Sequence, residues 1–85
     1  MNSQQVPPSL RDLLADVLEV SPEDITPGTG VGTVETWDSF RHLQAILAIE
    51  GEYGVQFDPA RIEELTNVSL IQAELAAKGV NFDAR

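Results

Sequence analysis

The chain predicts an all-α protein, an irregular four-helix bundle with three longer helices, one short one and a long loop between the first and second. Two apolar stripes at helical spacing carry that expectation, one over residues 10–18 and one over residues 40–53. The third observation is the stretch between them, where glycine, proline and β-branched residues forbid a stable helix and no alternating segment elsewhere offers a strand partner. Eighty-five residues make a single domain spanning 1–85, with its core expected over about 9–79. A chain of this size buries only roughly 60–65% of its unfolded surface, so its core must be small and mainly aliphatic.

The first eight residues are polar and proline-bearing and read as a lead-in. Ser9 and Asp12 have the spacing of a capping box, and Leu10, Leu13, Leu14, Val17 and Leu18 then share one face. A first helix from about Ser9 to Val20 follows. Ser21-Pro22-Glu23-Asp24 suits one short helical turn, with proline at its first position. From Ile25 to Thr36 the chain is loop, for which Ile25, Val31 and Val34 are the candidate pins to the helices.

The second helix is expected to start at Ser39 and to bury Phe40, Leu43, Ile46, Leu47, Ile49 and Tyr53. On that reading Phe40→Ala costs on the order of 3 kcal/mol if the ring is fully buried. Gly54 suits a left-handed helix end, and Asp58-Pro59 an N-cap with proline behind it. A short helix from about Pro59 to Leu65 offers Ile62 and Leu65 to the core. Asn67 caps a last helix carrying Val68, Ile71 and Leu75, which Lys78 and Gly79 end. Val80 to Arg85 is a tail, with Val80 or Phe82 expected to fold back.

Composition removes several function classes. There is no cysteine, which excludes disulfides, thiolate metal sites and cysteine nucleophiles. No apolar run approaches the ~18–20 residues of a membrane span, and the first residues lack the charged and apolar regions of a secretory signal. A cytoplasmic protein is expected. Fourteen acids against five bases give a charge of −9, a surface that repels nucleic acid and anionic membranes and attracts basic partners.

The chemistry concentrates in Trp37-Asp38-Ser39-Phe40-Arg41-His42. Asp38, Ser39 and His42 invite a hydrolase reading, but three side chains on one solvent-facing turn supply neither enclosing walls nor an oxyanion hole. No catalytic residue is assigned, and His42 reads as a surface or partner-contact residue. A single histidine with scattered carboxylates gives no metal-ligand spacing, and the glycines of the loop match no phosphate-binding motif. Ser39 is then either a plain N-cap or a modified residue, since a hydroxyl at a helix start meets a field that favours phosphate.

Around this serine the chain resembles the acyl carrier proteins and their carrier-domain relatives. The resemblance covers roughly Ser9 to Gly79. It rests on Asp38-Ser39-Phe40, where the family usually reads Asp-Ser-Leu, on the helix and long loop before it, and on Glu50-Gly-Glu-Tyr-Gly-Val-Gln-Phe-Asp58 after it. It implies that Ser39 receives 4′-phosphopantetheine from coenzyme A through a Mg²⁺-dependent phosphopantetheinyl transferase. Asp38 would help to organise metal and phosphate, and the arm's thiol would carry an acyl-type group as a thioester. Further expected partners are a loading ligase and downstream transferases, with the carrier itself a monomer that is not an enzyme.

In fatty-acid carriers the second helix presents a mostly acidic docking face. Here Arg41, His42 and Gln44 stand there, with acids only at Glu50 and Glu52. Trp37, Phe40, Arg41, His42 and Gln44 are therefore the candidate partner contacts, and the bulk of Trp37 and Phe40 points to a small cargo: short acyl, aminoacyl or polyketide-type. The competing class is an acidic helical interaction module without a prosthetic group.

Overall fold

The computed structural model describes residues 6–80. It contains four α-helices, α1 (Pro8–Leu18), α2 (Ser39–Tyr53), α3 (Pro59–Ile62) and α4 (Val68–Ala77), with one 3-10 turn at Pro22–Asp24. Among the described residues there is no strand, only isolated bridges between Gly30 and Asn67 and between Val31 and Val34. The lead-in before Val6 and Phe82 in the tail lie outside the described residues. Among the described residues no helix is long and apolar enough to cross a membrane.

α1 begins on proline, not on a serine cap. Pro8 occupies the first turn, where its missing N–H costs nothing, and Pro7 is the N-cap residue with no side-chain bond. The expected capping box does not form, because Ser9 already lies inside the helix. Its hydroxyl pairs with the Tyr53 hydroxyl at 2.6 Å and ties the start of α1 to the end of α2. α1 also ends two residues before Val20. Glu19 turns left-handed at φ 59°, its N–H bonding to Asp16 O while the Val20 N–H reaches back to Ala15 O. That pair of bonds is a Schellman motif built on a residue other than glycine.

Leu10, Leu14 and Leu18 of α1 are fully buried against Ile46 and Ile49 of α2 and Val68, Ile71 and Leu75 of α4. Phe57 closes one edge of this core, with Lys78 Nζ 5.6 Å above its ring. α3 is only four residues long, shorter than the turn expected to reach Leu65. The Leu65 side chain is nonetheless buried, as is Leu75 beyond it. Arg61 holds α3 to α4 through Glu74 at 2.7 Å.

The long loop is anchored chiefly by backbone. Val68 N–H donates to Thr29 O at 2.8 Å, Ser69 N–H to Pro27 O at 3.0 Å and Val31 N–H to Thr66 O at 2.9 Å. Two of these donors belong to the first turn of α4, which has no acceptors of its own. Ile25 is buried and Val34 packs on the core as expected, but the Val31 side chain stays exposed while its backbone makes the anchor. At Gly30 the loop passes so close that an added Cβ would lie 2.3 Å from Thr66 O. Glycine is required there by proximity, not by its φ.

Candidate functional site

Ser39 is the first residue of α2. The N-cap is Asp38, whose carboxylate accepts the Arg41 N–H at 2.9 Å, so the serine hydroxyl is not needed for capping. Ser39 is exposed. Its own N–H and that of Phe40 belong to the first turn, where no earlier carbonyl within the helix can take them. An oxygen-bound phosphate on Ser39 would meet these donors and the positive end of α2.

Four neighbours hold this turn in place. The Thr36 hydroxyl donates to Leu18 O at 2.7 Å and Arg41 Nη1 to Val17 O at 2.7 Å. Both satisfy terminal carbonyls of α1, and Arg41 also stands 3.7 Å from Glu19. On the other side the Trp37 indole N–H donates to His42 Nδ1 at 3.0 Å, and His42 Nε2 bonds Ile62 O at 2.9 Å. The rings of Trp37 and His42 lie 5.9 Å apart, tilted by 32°. The turn bearing Ser39 is therefore clamped between the end of α1 and the end of α3.

These contacts correct the placement of several expected partner residues. Trp37 is 1% exposed and His42 8%, so both are interior groups. His42 could not serve Ser39 as a base in this geometry, because each ring nitrogen already has a partner. Arg41 is half-buried and spends its guanidinium on α1. Phe40 and Gln44 do lie on the surface, Phe40 at 67% exposure. Leu43 at 49% and Leu47 at 58%, expected in the core, join them on one outward face. α2 is rotated from its expected setting: His42, Ala45, Ile46 and Ile49 face inward.

Beside Ser39 lies a cleft of about 530 Å³ between α2 and the segment of α3, lined mainly by Val31, Leu43, Pro59 and Ile62, with His42, Glu63 and Thr66. Sequence reading placed none of Val31, Pro59 or Glu63 at the site, and no spacing in the chain brings them together. Among the described residues no group of three or more histidine or acidic side chains could hold a metal ion.

A family model described as the phosphopantetheine attachment site matches residues 8–75, a span that contains Ser39. The chain belongs to this family. It is a carrier protein, whose prosthetic group is a covalent phosphopantetheine. The carrier is also 29% identical over 68 residues to the acyl carrier protein of Thermosynechococcus vestitus, covering 80% of this chain and 84% of that protein. The matched span runs from the first residue of α1 to Leu75, so it takes in α1, α2 and α3 and all but the last two residues of α4.

Proposed function

We propose that Ser39 is the attachment residue and that the protein carries a small acyl-type cargo as a thioester on its phosphopantetheine arm. The observation that carries this reading is an exposed serine hydroxyl at the first position of α2 whose capping duty Asp38 has taken over. In the attachment step Ser39 Oγ forms a bond to the pantetheine-side phosphorus of coenzyme A. The bond to the bridging oxygen breaks, the adenosine bisphosphate half leaves, and the serine proton passes to a base of the transferase. Asp38 keeps the first turn of α2 formed while this happens and lends a carboxylate beside the reacting hydroxyl. The bound arm supplies the thiol; the chain supplies its position and a field suited to its phosphate.

The docking surface follows from α2. Besides Ser39, the exposed side chains over its first three turns are Phe40, Leu43, Gln44 and Leu47, with no charge among them, in a chain of charge −9. The transferase, the loading ligase and the downstream transferases then meet an apolar strip adjoining Ser39, not an acidic one. Their complementary surface is apolar, and attachment depends little on salt.

Incubation with coenzyme A, Mg²⁺ and a broad-specificity phosphopantetheinyl transferase should add the mass of one phosphopantetheine. Ser39→Ala should abolish the gain while changing stability by no more than ~0.5 kcal/mol, since the cap remains. An unmodified wild type, or a gain that persists in Ser39→Ala, would overturn the assignment.

A further inference from the structure

Of the residues lining the cleft beside Ser39, His42 alone is buried. Behind it sits the Trp37 indole, almost wholly enclosed. An indole N–H can only donate, so Nδ1 of His42 is the acceptor and the neutral ring carries its proton on Nε2, donated to Ile62 O. One side chain thus joins the end of the loop, α2 and the last residue of α3. α3 is a single turn that cannot persist unaided, and among the described residues this bridge and the Arg61–Glu74 pair are the side-chain hydrogen bonds that tie it to other helices.

We propose that the Trp37–His42–Ile62 bridge is the floor of the cleft and that His42 is the residue limiting cargo length, a role that rests on the carrier reading of Ser39. A short group lies in the cleft with the bridge intact. A longer chain must part α3 from α2 and break both hydrogen bonds to reach the core around Ile46 and Leu65. That leaves a buried indole N–H and a half-buried peptide carbonyl without their partners. The loss outweighs the burial of the first few methylenes, so extension past the cleft is disfavoured.

The test has two parts. In the unmodified protein, hydrogen exchange is followed at the single Trp37 indole proton and at the Ile62 and Leu65 amides. His42→Ala should speed exchange at Ile62 and Leu65 about tenfold or more relative to amides of α1, as expected for a lost buried hydrogen bond. Trp37→Phe keeps an aromatic ring but removes the donor, and should produce part of the same change. His42→Gln, which offers an acceptor and a donor, should restore slow exchange.

In the second part Ser39 is loaded with acetyl- or octanoyl-phosphopantetheine, and thioester cleavage by hydroxylamine is timed. In the wild type both thioesters should be cleaved at equal rates. In His42→Ala the octanoyl thioester alone should become protected, and His42→Gln should return it to the wild-type rate, a selectivity that general destabilisation would not produce. Octanoyl protection already present in the wild type, or absent from His42→Ala, would overturn the length limit. Unchanged exchange at Ile62 and Leu65 in both His42→Ala and Trp37→Phe would overturn the bridge itself. No arm on Ser39 would sink the carrier reading and the cargo role together, while the exchange data would still decide whether the bridge holds α3.

Discussion

At Gly30 the loop touches the Thr66 carbonyl and the Asn67 side chain so closely that no Cβ fits. Because the obstructing atoms include backbone, Gly30→Ala should destabilise the fold by about 1–3 kcal/mol, read as a lower urea midpoint. Glu19 poses the opposite case, an ordinary residue held left-handed at φ 59°. Glu19→Gly removes that strain and forfeits only a loose surface pair with Arg41 at 3.7 Å. The added freedom of glycine in the unfolded chain offsets part of the gain, so thermal melting should place the variant between neutral and ~1 kcal/mol more stable. Phe40→Ala, expected on sequence grounds to cost on the order of 3 kcal/mol, should instead cost under ~1 kcal/mol, because the ring lies mostly in water.

Helix α2 has apolar residues on more than one side, and this is why its orientation was not legible from periodicity. Phe40, Leu43 and Leu47 make as good a stripe as Ala45, Ile46 and Ile49, and hydrophobicity alone favours the larger side chains. The choice falls to the Trp37–His42–Ile62 bridge and the Arg41 bond to α1, which fix the rotation of the first turn. The outward stripe then becomes a prediction about docking. Leu47→Asp should leave stability within ~0.5 kcal/mol of wild type yet lower the rate of phosphopantetheine attachment or downstream transfer. An unaltered rate with every partner would remove α2 from the docking surface. The capping residues were more readable: Asn67 accepts the Leu70 N–H at 2.8 Å, and Gly54 and Gly79 stand left-handed after α2 and α4. Caps answer to a local shortage of hydrogen-bond partners, so local sequence reports them.

For the whole molecule, the polar ties matter because the aliphatic core is small. Glu74 reaches across from α4 to Arg61 on α3, and the hydrogen bond from that guanidinium holds its carboxyl below the ordinary glutamate range. A carboxyl depressed in the folded state stabilises above its unfolded pKa, and that stability is lost as pH falls through the folded value. Comparing Glu74→Gln with wild type by urea unfolding should therefore show a gap at neutral pH that closes in acid. At the other extreme, burial raises the Tyr53 hydroxyl above its usual range, against a smaller lowering by its bond to Ser9. Its contribution is present below the unfolded value and fades as pH rises past it.

The sequence by itself determined the helix content, the long irregular loop, the caps at Asn67, Gly54 and Gly79, and the prominence of Ser39. Each of these follows from interactions within a few residues, which composition and spacing record directly. Tertiary structure alone decided that Trp37 and His42 turn inward while Phe40 and Leu47 turn outward. It also decided that Thr36 and Arg41 close the end of α1, and that Val31, Leu43 and Ile62 meet in one cleft beside the serine. Those outcomes join residues about a dozen or more positions apart, or choose between two equally apolar faces of one helix. Only packing against the remaining elements supplies the free-energy difference that selects among them.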